Sequence, residues 1–101
     1  MAKAYFIFTE DIHDQDGIAA YGAKAVPTVL QAGGRPIVVE DNAETIEGTW
    51  HGSRTVVIEF DSVEAAKAWY NSDEYQAVIG LRHAAANSNA AILNGFEMPG
   101  A

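Results

Sequence analysis

A chain of 101 residues has the size of one domain, and 49% hydrophobic against 20% charged side chains place it with folded chains rather than disordered ones. Its 14 acidic and 6 basic residues give a formal charge of −8, which repels phosphate backbones and anionic lipid and suits solubility, so neither nucleic acid nor a membrane is an expected partner. Cysteine is absent, which excludes disulfides, thiolate metal sites and cysteine nucleophiles.

Lys3 to Thr9 (KAYFIFT) is rich in aromatic and β-branched residues and predicts a strand; being apolar on both faces, it belongs in the centre of a sheet. The acidic, turn-forming segment Glu10 to Asp16 is expected to end it. The run Ala4 to Phe8 is too short for a signal-peptide core or a membrane span, and the cytoplasm is the default location. From Asp16 on, Ile18, Tyr21 or Gly22, Ala25 and Val29 recur at helical spacing. Pro27 inside that pattern predicts a bend or break near Val26, and Gly33-Gly34 ends the helix.

Arg35 to Asp41 (RPIVVED) predicts a second strand, with Pro36 marking an edge position or a bulge. A polar connection, Asn42 to Gly48, leads through Thr49, Trp50 and His51 into a third strand, Arg54 to Phe60 (RTVVIEF), most simply paired with the second as a hairpin. Both faces of that strand carry apolar side chains. Asp61 with Glu64 resembles a capping box opening a helix whose buried stripe is Val63, Ala66, Trp69 and Tyr70. Ser72 caps a further helix carrying Tyr75, Val78, Ile79 and Arg82 on one face, which His83 to Ala86 extend or end. Asn89 to Phe96 predicts the last strand. The order is strand, helix, strand, strand, helix pair, strand: a split βαβ, α+β domain over residues 1–101 with a four-stranded antiparallel sheet.

These residues in this order resemble the bacterial domain of unknown function 1330 family. The resemblance rests on Tyr5, Val26-Pro27 ahead of Gly33-Gly34-Arg35, Glu47-Gly48 with Trp50 and Arg54, Val57 to Phe60 with Ser62, Ala66, Trp69-Tyr70, Ser72 with Glu74-Tyr75, and Arg82. It implies a ferredoxin-like βαββαβ subunit of the dimeric α+β barrel superfamily, in which two sheets face each other across a homodimer interface. That superfamily spans cofactor-free monooxygenases, haem-degrading enzymes, isomerases and ligand-sensing domains, so the resemblance carries no single activity. Gly52 and Asp61 stand where prolines are expected, Asp73 where proline commonly opens the helix, and Asn94 where an acid often precedes the glycine.

Several polar residues could carry chemistry. Arg35 and Arg54 begin strands that a hairpin places side by side, where they either clamp an anion or pair with nearby acids. Trp50 and His51 offer an aromatic wall and a titratable ring ahead of the third strand. Glu59, an acid in an apolar strand, is either a base with a raised pKa or one half of an ion pair, with Arg82 as a candidate partner. Tyr70 belongs either to the core or to a ligand wall, as do Trp69 and Tyr75. His13 with Asp11 and Asp14, His51 and His83 lack the spacing of a metal motif, Gly33-Gly34 follows a helix rather than a strand, and no serine stands in a nucleophile elbow. The expectation is a homodimer joined through sheet faces that binds a small anionic or aromatic molecule in a cleft between sheet and helices, without metal or cofactor. The alternative is a cofactor-independent enzyme with Glu59 or His51 as base in that cleft. Arg35, Trp50, Arg54, Tyr70 and Arg82 are the candidate ligand contacts.

Overall fold

Side-chain alternation along the first strand sets the architecture. In the computed structural model, which describes residues 2–100, β1 (Ala4–Ile12) turns Ala4, Phe6, Phe8 and Glu10 to one face, all buried, and Tyr5, Ile7 and Thr9 to the other. Three further strands, β2 (Arg35–Glu40), β3 (Arg54–Phe60) and β4 (Ala86–Asn94), complete one antiparallel sheet in the order β2-β3-β1-β4. β1 is central, as its two apolar faces require, and β2 is an edge strand with an irregularity between Pro36 and Val38. The helical segments α1 (Gln15–Gln31), α2 (Val63–Tyr70), the single turn α3 (Asp73–Gln76) and α4 (Ile79–Ala85) follow. They contribute Ala25, Val29, Ala66, Trp69 and Tyr75 to the core built on Phe6, Phe8, Ile58 and Phe60, so helices cover one face of the sheet. This is the ferredoxin-like α+β arrangement that the element order predicts.

Trp69 is the centre of that core. It is 1% exposed; its ring meets Phe6 edge-on at 5.3 Å, Phe60 at 5.6 Å and Tyr75 at 4.2 Å between centroids. Its indole N–H donates to Thr28 Oγ1 at 3.0 Å, and Thr28 donates in turn to the Ala25 carbonyl at 2.6 Å, so the ring fastens α1 and α2 to the sheet together.

Four expectations about element limits are corrected. The acidic segment does not end β1 at Thr9: Glu10 pairs with Arg54 on one side, and Glu10, Asp11 and Ile12 pair with Ser88, Asn87 and Ala86 on the other. β4 accordingly starts at Ala86 instead of Asn89 and stops before Phe96, which lies outside the sheet and exposed. α1 runs unbroken through Pro27, because the proline sits on the exposed side while Ala25 and Val29 pin both flanks of it to the core. It stops at Ala32, where Gly33 takes a φ of 81° that suits glycine. Finally, Ser62 and not Asp61 caps α2: its hydroxyl accepts from Ala65 N at 3.0 Å, while the Asp61 carboxylate binds Arg35 Nη2 at 3.0 Å and Lys3 Nζ at 3.4 Å.

Removing the cap should show which residue holds it. Ser62→Ala is expected to cost about 1 kcal/mol in urea unfolding, and Asp61→Ala distinctly less. The reverse order would return the cap to Asp61.

Candidate functional site

Between α1 and the sheet lies an elongated cavity of about 150 Å³. Phe8, Val56 and Ile58 form its floor, and Ile18, Ala25 and Val29 form the helix wall. The α1 wall is thin at Gly22, where a Cβ would meet nothing within 4 Å. Two charged residues join this apolar lining, Glu10 and Arg54. They are direct cross-strand partners on the helix side of the sheet, yet they form no ion pair. Arg54 turns outward instead, with Nε donating to Asp41 Oδ1 at 2.6 Å.

Glu10 is therefore the exceptional residue. It is 3% exposed, and among the described residues its carboxylate has no hydrogen-bond or ion-pair partner; only its backbone carbonyl is bonded, by Ser53 N at 2.8 Å. Burial pushes its carboxyl above the ordinary 4.5, against the pull of the Arg82 and Arg54 charges. Arg82, also 3% exposed, lies over the Phe8 ring at 4.9 Å and donates to Ser88 Oγ and, at 3.4 Å, to Tyr75 Oη. Tyr75 and Tyr21 share a hydrogen bond of 2.8 Å. Burial, first of all, raises the Tyr21 hydroxyl pKa beyond its ordinary 10.0. Of Arg82, Tyr75 and Tyr21, only Tyr21 lines the cavity.

The residues singled out from the sequence do not converge. Arg35 and Glu59 are paired across strands on the face without helices, with Arg35 Nε donating to Glu59 at 2.9 Å and the Tyr5 hydroxyl donating to it at 3.2 Å. Arg35 holds the Glu59 carboxyl below 4.5, the opposite of what a base needs, and the partner is Arg35 rather than Arg82, which lies on the other face. Trp50 and His51 also lie on the open face, where Trp50 Nε1 donates to Thr55 Oγ1 and His51 Nδ1 bonds Thr9 Oγ1, both at 2.8 Å. Tyr70 packs on Phe6 at 5.4 Å and borders a separate surface cleft near Ala90 and Ile92. Of the residues weighed from the sequence, Arg54 and Trp69 line the cavity. Glu10 was missed because it stands beside Asp11 in what reads as a polar turn; the signal that finds it is the alternation Ala4, Phe6, Phe8, Glu10 carried one step further. Among the described residues no group of three or more His, Asp or Glu side chains is placed to hold a metal ion.

Comparison with known proteins places the chain in a family. The model for "Domain of unknown function (DUF1330)" matches residues 3–96. No curated protein matches. A crystal structure of a protein of unknown function from Rhodopseudomonas palustris is similar with a TM-score of 0.76 at 18% identity, over 96% of this chain and 85% of that one. SnoaB, a cofactor-independent oxygenase from Streptomyces nogalater, superposes with a TM-score of 0.72 at 9% identity over 100% of both chains. A dimeric ferredoxin-like protein of unknown function from Thermobifida fusca gives 0.55 at 10% identity, over 92% and 91%. At these identities the structural likeness establishes the fold.

The opposite shifts of Glu10 and Glu59 separate by pH. The raised Glu10 carboxyl binds its proton more tightly in the folded chain, so burying it ionised costs stability above its folded pKa, and that cost is relieved as pH falls toward 4.5. The depressed Glu59 and Asp61 carboxyls stabilise above their ordinary 4.5 and 3.8, and that contribution is lost as pH falls through their folded values. Glu10→Gln should therefore raise Tm at neutral pH, with the gain shrinking toward pH 4.5. A gain independent of pH in a calorimetric series would contradict the buried ionised carboxylate.

Proposed function

The chain belongs to the DUF1330 family, and we propose that it is a homodimer joined through the open sheet faces, each subunit of which binds a small, largely apolar molecule in the cavity between α1 and the sheet. The observation that carries the ligand reading is the Glu10 carboxyl, which among the described residues has no hydrogen-bond or ion-pair partner and lines a mostly apolar cavity together with Arg54 and Tyr21. No side-chain oxygen among the described residues is both fully buried and without a partner, so the unbonded Glu10 oxygens remain accessible, and the cavity that Glu10 lines is where a ligand would reach them. Glu10 repels an anion, so of the anionic and aromatic ligands expected from the sequence the aromatic one is favoured. Arg54, Tyr21 and Glu10 are the polar contacts available to it.

The dimer reading is supported by the uncovered side of the sheet. The described residues extend 46 × 37 × 15 Å, the thickness of one sheet and one helix layer. The bare face presents Ile7 and Val57, with Leu93 49% and Trp50 48% exposed. A second copy would remove this apolar surface from water. The acidic, cysteine-free composition is consistent with action in the cytoplasm.

The same carboxylate favours a second reading: a cofactor-independent enzyme in which Glu10, in place of Glu59 or His51, takes a proton from the bound molecule. Turnover of a bound compound, absent in Glu10→Gln, separates catalysis from binding.

Two measurements test the main reading. In a thermal-shift screen of small aromatic metabolites, stabilised hits should lose their effect in Gly22→Phe, whose side chain fills the cavity from a position with room for a Cβ. Hits that keep their effect in that variant place binding elsewhere, and a screen without hits removes the ligand reading. In sedimentation at micromolar concentration the wild type should run as a dimer and Val57→Asp as a monomer; a wild-type monomer overturns the interface.

A further inference from the structure

The size and the charges of the cavity narrow the ligand further, on the premise that the ligand reading above holds. A space of about 150 Å³ is that of one six-membered ring, the volume at which apolar protein cavities take up benzene. That volume suits one ring better than two fused ones, and α1, whose Ala25 and Val29 are locked into the core, gives little room to widen it from the helix side. Inside this space the acceptor is Glu10, set in β1 between Phe8 and Ile12 with both cross-strand neighbours in place.

Charge then decides what the ring carries. An anionic substituent would lie against the Glu10 carboxylate. A cationic one would lie in the field of the Arg82 and Arg54 guanidiniums, both near enough to act on Glu10. What remains is a neutral group with a hydrogen to donate. The Tyr21 hydroxyl is bonded to Tyr75, and Arg82 to Tyr75 and Ser88; none of these bonds reaches Glu10.

We propose that the cavity is a site for neutral, single-ring hydroxy compounds of the phenol class, with the ring between Phe8 and the α1 wall and the hydroxyl donating to the Glu10 carboxylate. A phenol suits this role because, like the tyrosine side chain with its pKa of about 10, it keeps its proton at neutral pH. The hydrogen bond it donates is charge-assisted and made inside an apolar wall, where such bonds are strongest.

The test uses phenol, toluene and 2-naphthol as probes of the purified full chain, with binding followed by NMR titration at neutral pH, where phenol keeps its proton. Phenol and toluene have nearly the same shape and differ in the donor, so phenol is expected to bind about tenfold or more tighter. 2-Naphthol should show no binding in the cavity. In Glu10→Leu, which keeps the bulk and removes the acceptor, the preference for phenol should vanish; Glu10→Gln, which retains one neutral acceptor, should give an intermediate preference. Phenol and toluene binding equally to the wild type, or a preference that survives in Glu10→Leu, overturns the assignment of Glu10 while leaving an apolar binding cavity in place. Binding of 2-naphthol that Gly22→Phe abolishes overturns the single-ring limit. Absence of binding by all three probes overturns this proposal, whereas hits of another class in the metabolite screen would leave the broader reading standing.

Discussion

The contact on which the rest depends is the Trp69 ring against Phe6, Phe60 and Tyr75, tied by its N–H to Thr28. One side chain thereby fixes the distance of α1 and α2 from the sheet at their shared end. The cavity runs along α1 from Ile18 to Val29, with Gly22 in its wall and the Trp69 ring itself part of its lining. The ring that holds the core together thus also borders the gap between α1 and the sheet.

The sheet then divides the charged residues by face. On the open side Arg35, Glu59, Asp61 and Lys3 satisfy one another within reach of water, and Arg35 holds both carboxyls below their ordinary values. On the helix side Glu10 and Arg82 are both buried, and the arginine takes hydroxyl and ring partners rather than the carboxylate. Paired surface charges are ordinary structure. Glu10 has two arginines near enough to act on its charge, and both take other hydrogen-bond partners.

The contrast also explains what the sequence could reveal. The central strand, the edge strand with its proline, the Ser72 cap and the Trp69 stripe were all legible, since each follows from periodicity or from local chemistry. Strand ends were not: Glu10 to Ile12 become strand because residues some eighty positions away supply the ladder. The site was lost with them. Glu59, placed visibly among apolar neighbours, drew attention and proved to be paired, whereas Glu10, placed among polar ones, was the acid that the fold buries. In a sheet, exposure is set by the face and by the covering layer, and neither is written in the residue's immediate neighbours.

The two faces nevertheless meet at one residue. The Glu10 carbonyl accepts from Ser53 N, and a Cβ at Gly52 would meet that carbonyl at 2.4 Å. Gly52 itself has a φ of 78°, which the proline expected there from the sequence resemblance cannot adopt. The neighbouring Trp50 and His51 are hydrogen-bonded to the open face through Thr55 and Thr9. A strand position whose side chain enters the cavity therefore has its backbone held by a loop that lies on the opposite side of the sheet.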